Sequence, residues 1–192
     1  MQGTRGPSGA SLSAMKRVMG ALLALLAGCA SDPAGNYGFG IGDPVRGAAL
    51  NAPALLGNTA RLAGDPRRAA LGVVHIELLA DAFATDPIYA PEVSGPTLHA
   101  VRLGQAEMRQ AVGIAPDAPP EAVIARMRSV IAGLDTIDPA RVETALNGPM
   151  FPSGPRVTLE RLSDLPFLRR VSLAAGAANQ EIARLDGGRQ RG

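Results

Sequence analysis

The chain has 192 residues, of which 46% are hydrophobic and 19% are charged, and its formal net charge is +2. This composition excludes an intrinsically disordered chain, and the single cysteine excludes a disulfide framework or a multi-cysteine metal site. Aromatic residues make up only 3% of the chain and tryptophan is absent, which argues against a protein that binds sugars or nucleobases by ring stacking.

The positive net charge originates near the N-terminus and does not indicate nucleic-acid binding. Arg5, Lys16 and Arg17 precede Cys29, whereas all 17 acidic residues follow it, which leaves 16 basic and 17 acidic residues in the remainder. A nucleic-acid surface requires clustered positive charge. We therefore expect no nucleic acid among the partners.

An apolar run near the N-terminus is typical of a secretory signal peptide. Lys16 and Arg17 precede residues 18–27, a run of about 10 apolar positions, which is too short for the ~20 needed to span a bilayer. The run ends in the motif Leu26, Ala27, Gly28 and Cys29. This motif resembles the lipobox of bacterial lipoproteins, which implies cleavage between Gly28 and Cys29 and attachment of diacylglycerol to the thiol, so that palmitate is incorporated in the lipid. The alternative is a short buried helix that contains a cysteine.

The lipobox resemblance implies a lipid-anchored protein that faces the periplasm. The residue after the cysteine, Ala30, resembles the sorting signal for the outer membrane, and the cell membrane is the alternative location. Residues 1–14 are rich in Gly and Ser and have no apolar period, and Met15 directly follows them. We interpret residues 1–14 as a start-site extension, 15–28 as the signal peptide and 29–43 as the lipidated cysteine with a Gly-rich tether.

Asp-Pro pairs mark helix starts in the rest of the chain. In Asp43-Pro44, Asp65-Pro66 and Asp138-Pro139, the aspartate is an N-cap acceptor and the proline occupies the first helical position, where its missing N–H costs nothing. No segment alternates β-branched residues with a period of two. We predict an all-α protein: a compact helical bundle of about five to seven helices over residues 44–186, with a flexible tail over 187–192. Further helix starts are expected at Pro53, Pro96, Pro120 and Pro166.

Three predicted helices define the expected core. Residues 66–84 carry apolar side chains around most of the helix, so this helix should be the most buried. In residues 96–112 only one side is apolar, and we expect His99 and Arg109 to face solvent. Residues 166–185 carry a heptad seam centred on small side chains, which lets a neighbour approach closely, either the helix 66–84 or a second copy of the chain.

Few residues are candidates for catalysis. Glu77 and Asp81 lie on one flank of the helix 66–84, while His75 lies on another side because residues i and i+2 do not face each other. The two acids form either a carboxylate dyad in a cleft or a polar flank that pairs with an arginine of a neighbouring helix. Motifs for nucleophiles, metals and phosphate-binding loops are absent, so we nominate no catalytic residue and expect no cofactor and no metal.

Two proline-bounded loops carry large apolar side chains. Residues 148–155 include Met150 and Phe151, and residues 86–91 include Tyr89. These side chains either face a protein partner or fold back onto the end of the bundle.

Together these patterns favour a cell-envelope lipoprotein, bound to the membrane through Cys29, with a helical interaction or structural domain and an envelope protein as its partner. One alternative is a small-ligand carrier with a pocket between helices, lined by Met108, Met127 and Leu79. A second alternative is a hydrolase built on the flank that carries Glu77.

Overall fold

Seven α-helices and one 3-10 helix make up residues 42–189, the part of the chain that the computed structural model describes. In chain order the elements are α1 (Pro44–Leu56), the 3-10 helix (Thr59–Leu62), α2 (Pro66–Thr85), α3 (Gly95–Val112), α4 (Pro120–Asp135), α5 (Pro139–Leu146), α6 (Gly154–Ser163) and α7 (Arg169–Arg189). No β-strand occurs within residues 42–189, so the predicted all-α bundle is confirmed. The predicted signal peptide, the lipobox with Cys29 and nearly all of the tether lie outside the described residues.

The three Asp-Pro pairs begin helices as predicted. The Asp43 carboxylate accepts hydrogen bonds from the backbone N–H groups of Val45 and Arg46, both at 3.0 Å. Asp65 and Asp138 each accept one such bond, at 2.9 and 3.0 Å. Each cap satisfies N–H groups that have no partner inside their helix, and a cap of this kind stabilises a protein by about 1 kcal/mol.

The predicted helix start at Pro53 is wrong, because Pro53 lies inside α1. A proline has no N–H, so the carbonyl of Ala49, four residues earlier, has no donor within the helix. The Asn179 side chain of α7 lies beside this gap, with its Nδ2 3.4 Å from Ala49 O and 3.3 Å from Leu50 O. A donor from a distant helix therefore compensates for the bond that the proline removes.

The predicted helix start at Pro166 is also wrong, because α7 begins three residues later, at Arg169. The hydroxyl of Thr59 binds the non-helical residues 165–168. It donates to the carbonyl of Pro166 and accepts from the backbone N–H of Leu168 at 2.8 Å. Two hydrogen bonds to the 3-10 helix thus replace the first helical turn that the proline would otherwise begin.

Helix α6 is an element that our sequence analysis does not predict. It begins at Gly154-Pro155, a pair that matches the Gly95-Pro96 start of α3. We interpreted residues 148–155 as a loop, and the helix follows that loop directly. Gly154 has a φ of 78°, in the left-handed region that favours glycine, so the chain turns sharply into the helix at this point.

Helix α7 lies between α1 and α3 and runs antiparallel to both. Its contacts with α2, the neighbour that we predicted, are marginal, so that prediction is wrong. The small side chains of the seam do allow a close approach, but α3 makes it: a Cβ atom built on Gly104 would lie 2.6 Å from the Cβ of Ala174. The seam is therefore filled within one chain, and no second copy is needed to cover it.

Helices α3 and α7 cap each other with carboxylates. Glu181 of α7 accepts a hydrogen bond at 2.7 Å from the backbone N–H of Ser94, the N-cap of α3. Glu107 of α3 accepts one at 2.9 Å from Val171 N, in the first turn of α7. A negative charge at a helix N-terminus is favourable because the helix dipole is positive there. The antiparallel arrangement brings each acid to the start of the other helix.

Helix α2 is the most buried helix within residues 42–189, as predicted. Twelve of its 20 residues are buried, and it packs against α1, α3 and α4. Its interior positions include two ionisable side chains, His75 at 5% exposure and Glu77 at 0%. Because ionisable side chains are seldom buried without a partner, His75 and Glu77 are candidates for a functional site.

Candidate functional site

Glu77, one of the predicted catalytic candidates, forms a buried ion pair with Arg109. The Nε and Nη2 atoms of Arg109 donate to the two carboxylate oxygens of Glu77 at 2.7 and 2.6 Å. The side-chain amide of Gln105 donates a third hydrogen bond at 2.7 Å. Of the two alternatives for Glu77, pairing with an arginine of a neighbouring helix is therefore confirmed.

Arg109 does not face solvent as we predicted. It is only 7% exposed, because α3 packs the side that carries Arg109 against α2, over Glu77. Helical periodicity places arginines on the polar side by default. Here Arg109 is buried because an unpaired buried carboxylate would cost more free energy than the burial of the arginine beside it.

The ion pair has the chemistry of a positioning element rather than that of a general acid or base. Three hydrogen bonds already occupy the Glu77 carboxylate, and the residue has no exposed surface. Burial lowers the pKa of His75 from its ordinary value of 6.5 to about 4, so this imidazole is neutral at neutral pH. Within residues 42–189, no group of three or more His, Cys, Asp or Glu side chains is arranged to hold a metal ion.

Two of the three loop residues that we predicted as partner contacts are buried. Phe151 and Tyr89 are 1% and 2% exposed, so the expectation that they face a partner is wrong and the alternative of folding back onto the bundle is confirmed. The ring of Tyr89 lies 6.2 Å from that of Phe83, and its hydroxyl contacts Asp43. Met150 is half-buried, and its carbonyl accepts a hydrogen bond at 2.9 Å from the backbone N–H of Ala115, in the loop after α3. The burial of these two large rings stabilises the folded protein.

Met108, Met127 and Leu79, the expected lining of a carrier pocket, belong to the packed interior of residues 42–189. All three side chains are fully buried. None of them lines the groove among α4, α5 and α6 or the pocket beside Arg109. Their role is to fill the interior.

An apolar groove lies instead at one end of the bundle, among the end of α4 and the helices α5 and α6. Its volume is about 630 Å³. Apolar atoms dominate its walls, with Glu143 and Arg156 among the charged residues that border it. The apolar lining residues include Leu134, Ile137, Pro139, Val142, Pro155 and Leu159.

Ile137 is the most unusual residue of this groove. It is 89% exposed, and its φ of 53° places a β-branched residue in the left-handed region. It lies at the end of α4, where Asp138 N donates to Gly133 O at 2.8 Å and closes the helix. Glycine is the usual residue at such a position, and an L-residue there costs about 1–2 kcal/mol. The side chain is too exposed for contacts within residues 42–189 to offset this cost.

The groove lies far from the point where the chain enters the bundle. Asp43 contacts Tyr89, just beyond the C-terminal end of α2. Arg67, at the N-terminal end of α2, forms an ion pair with Asp135, at the end of α4 that borders the groove. Because a helix rises 1.5 Å per residue, these two ends of α2 are about 28 Å apart.

Comparison with protein-family models, with curated proteins and with solved structures gave no match. None of the helices within residues 42–189 combines the length and the hydropathy that a membrane span requires. The function of the protein is therefore inferred from the geometry of the bundle and from the sequence motif at Cys29.

Proposed function

We propose that this protein is an envelope lipoprotein, anchored through Cys29, whose helical bundle binds a protein partner in the groove formed by α4, α5 and α6. The lipobox resemblance supports the anchor. The observation that carries the binding function is Ile137, an exposed aliphatic side chain held in a costly backbone conformation at the rim of an apolar groove.

The groove suits an amphipathic helix of the partner. Such a helix inserts large aliphatic side chains into an apolar groove and keeps its polar side in water. Glu143 at the rim is exposed and has no ionic partner among residues 42–189. Arg156, by contrast, is already paired with Glu160. The unpaired acid favours a partner helix with a lysine or arginine beside its apolar side chains.

The position of the groove fits an anchored binding domain. The chain enters the bundle at Asp43, about 28 Å along α2 from the end that borders the groove. Asp43 and the groove are therefore at opposite ends of α2. A second candidate, a small-ligand carrier, is favoured by the volume of about 630 Å³, which lies in the range of small-molecule sites.

The anchor is tested by metabolic labelling with palmitate. The label is expected in the wild-type protein and not in Cys29→Ala, and the variant should either be released to the periplasm or stall with its signal peptide uncleaved. Both forms should have the same helical circular dichroism, because the substitution lies outside residues 42–189. A Cys29→Ala protein that still incorporates the label would contradict the anchor.

The groove is tested by a pair of substitutions at exposed aliphatic residues. Ile137→Asp places a charge at the rim, and Leu173→Asp places the same charge on the exposed side of α7, where Leu173 is 60% exposed. After crosslinking in intact cells, a partner that co-purifies with the wild type should be lost from Ile137→Asp and retained by Leu173→Asp. Equal behaviour of the two variants would contradict the groove. Native mass spectrometry that shows a bound small apolar molecule instead would favour the carrier.

A further inference from the structure

A smaller pocket borders the buried ion pair and is separate from the groove. Its volume is about 380 Å³, and it lies between the C-terminal half of α3 and the loop that follows this helix. None of its residues lines the groove of the proposed function. Its lining consists of Gln105, Ala106, Arg109, Gln110, Ile114 and Pro116.

Arg109 supplies this pocket with a fixed hydrogen-bond donor. Two of its nitrogens donate to Glu77, and Nη1 donates to the carbonyl of Pro116 at 2.8 Å. A guanidinium has five N–H groups, so these three bonds leave two donors without a partner among residues 42–189. Arg109 is more than nine-tenths buried and lines the pocket, so a ligand there meets a charged group that is already desolvated and oriented.

The stability of the bundle does not by itself account for this ion pair. A buried pair contributes little more than two apolar side chains of the same size would, because both ions lose their hydration. The arrangement does fix the orientation of the guanidinium, since Glu77 accepts two short hydrogen bonds from it and a third from Gln105, which holds the carboxylate in place. Glu77 has no exposed surface, whereas Arg109 lines the pocket. The positive member of the pair is therefore the one that a ligand would meet.

We propose that this pocket binds a small carboxylate. Its oxygens accept hydrogen bonds from Arg109, and its apolar part contacts Ile114 and Ala106. The guanidinium geometry matches a carboxylate, and the volume lies within the range of small-molecule sites. Glu77 is a positioning residue: it orients Arg109 and does not line the pocket, while Gln105 lines the pocket and holds the Glu77 carboxylate.

The proposal is tested by titrating the full-length protein with butyrate and with butyramide, which has nearly the same shape and no charge. The signals to follow are the Nε–H of Arg109 and the backbone amide of Ala106 in NMR spectra. We expect saturable shifts with butyrate, and binding that is about tenfold weaker with butyramide, because hydrogen bonds to a charged acceptor are stronger. Butylammonium should produce no saturable shift.

Two matched substitutions locate the binding. Ala106→Leu fills the pocket without touching the ion pair and should abolish the butyrate shifts at Arg109. Ala183→Leu makes the same change at an exposed position of α7 and should leave the shifts unchanged. No saturation by butyrate, equal binding of butyrate and butyramide, or unaltered binding in Ala106→Leu would each overturn the proposal. None of these results bears on the groove, which has other residues and another readout.

Discussion

Removal of one member of the buried ion pair should destabilise the bundle far more than removal of both. In Glu77→Leu, the guanidinium of Arg109 stays buried and keeps only its bond to Pro116. Leaving one ion of a buried pair without its partner costs about 3–5 kcal/mol. For a domain of this size, that loss lowers the melting temperature by roughly 6 to 20 °C.

The double variant Glu77→Leu/Arg109→Met isolates the interaction. It removes both charges and keeps the volume apolar, so its free energy of unfolding should return to within about 1–2 kcal/mol of the wild type. Urea denaturation of the wild type, both single variants and the double variant gives the coupling energy directly.

The exposed ion pair of Arg156 and Glu160 provides the control for this cycle. Its side chains are 80% and 59% exposed, and Glu160→Leu should change the free energy of unfolding by less than about 1 kcal/mol. If Glu77→Leu costs no more than this control, or if the double variant is less stable than either single variant, the assignment of a tightly coupled buried pair is refuted.

Three further predictions concern packing, pH and backbone strain. Gly104→Ala should destabilise the bundle by about 1–3 kcal/mol, since its Cβ would lie 2.6 Å from that of Ala174, and adding Ala174→Gly should recover part of the loss in thermal denaturation. Because burial lowers the pKa of His75 to about 4, the unfolded chain takes up a proton between pH 6.5 and 4 that the folded protein does not, and the free energy of unfolding should fall by about 3 kcal/mol over that interval. His75→Gln should flatten this dependence in urea denaturation at several pH values, whereas His99→Gln, at an exposed site, should not. Ile137→Gly should raise the free energy of unfolding by about 1 kcal/mol, because glycine adopts a φ of 53° without strain, and an unchanged or lower value would remove the evidence for a strained rim.

The local chemistry of the chain was sufficient to predict the helix starts at Asp43, Asp65 and Asp138. An N-cap aspartate interacts with backbone groups two or three residues ahead, and a following proline fixes its own φ, so neither effect depends on the rest of the fold. The same is true of the all-α class, which follows from the spacing of apolar residues. The lipobox at Cys29 is also a local pattern, and the anchor that it indicates stays a prediction.

The helix starts predicted at Pro53 and Pro166 were wrong because contacts with distant parts of the chain decide the structure at these prolines. Pro53 is tolerated inside α1 because Asn179 lies beside the carbonyl of Ala49, which the proline leaves without a donor. Pro166 does not begin a helix because the Thr59 hydroxyl binds the backbone of Pro166 and Leu168. Both partners are more than 100 residues away in sequence, and only the packing of the helices brings them to these positions.

The candidate sites depended on tertiary structure even more. The sequence placed Glu77 either in a carboxylate dyad or on a polar flank that pairs with an arginine. Its partner Arg109 was assigned to the solvent-facing side, because periodicity describes one helix and a salt bridge requires two. The one available signal for the groove was an isoleucine directly before Asp138-Pro139, where a helix end favours glycine. By itself, the sequence determined the all-α class and the helix starts at the Asp-Pro pairs, since these are properties of neighbours along the chain. Only the tertiary structure decided which polar groups pair and where an apolar surface remains uncovered, because both depend on the distances between separate helices.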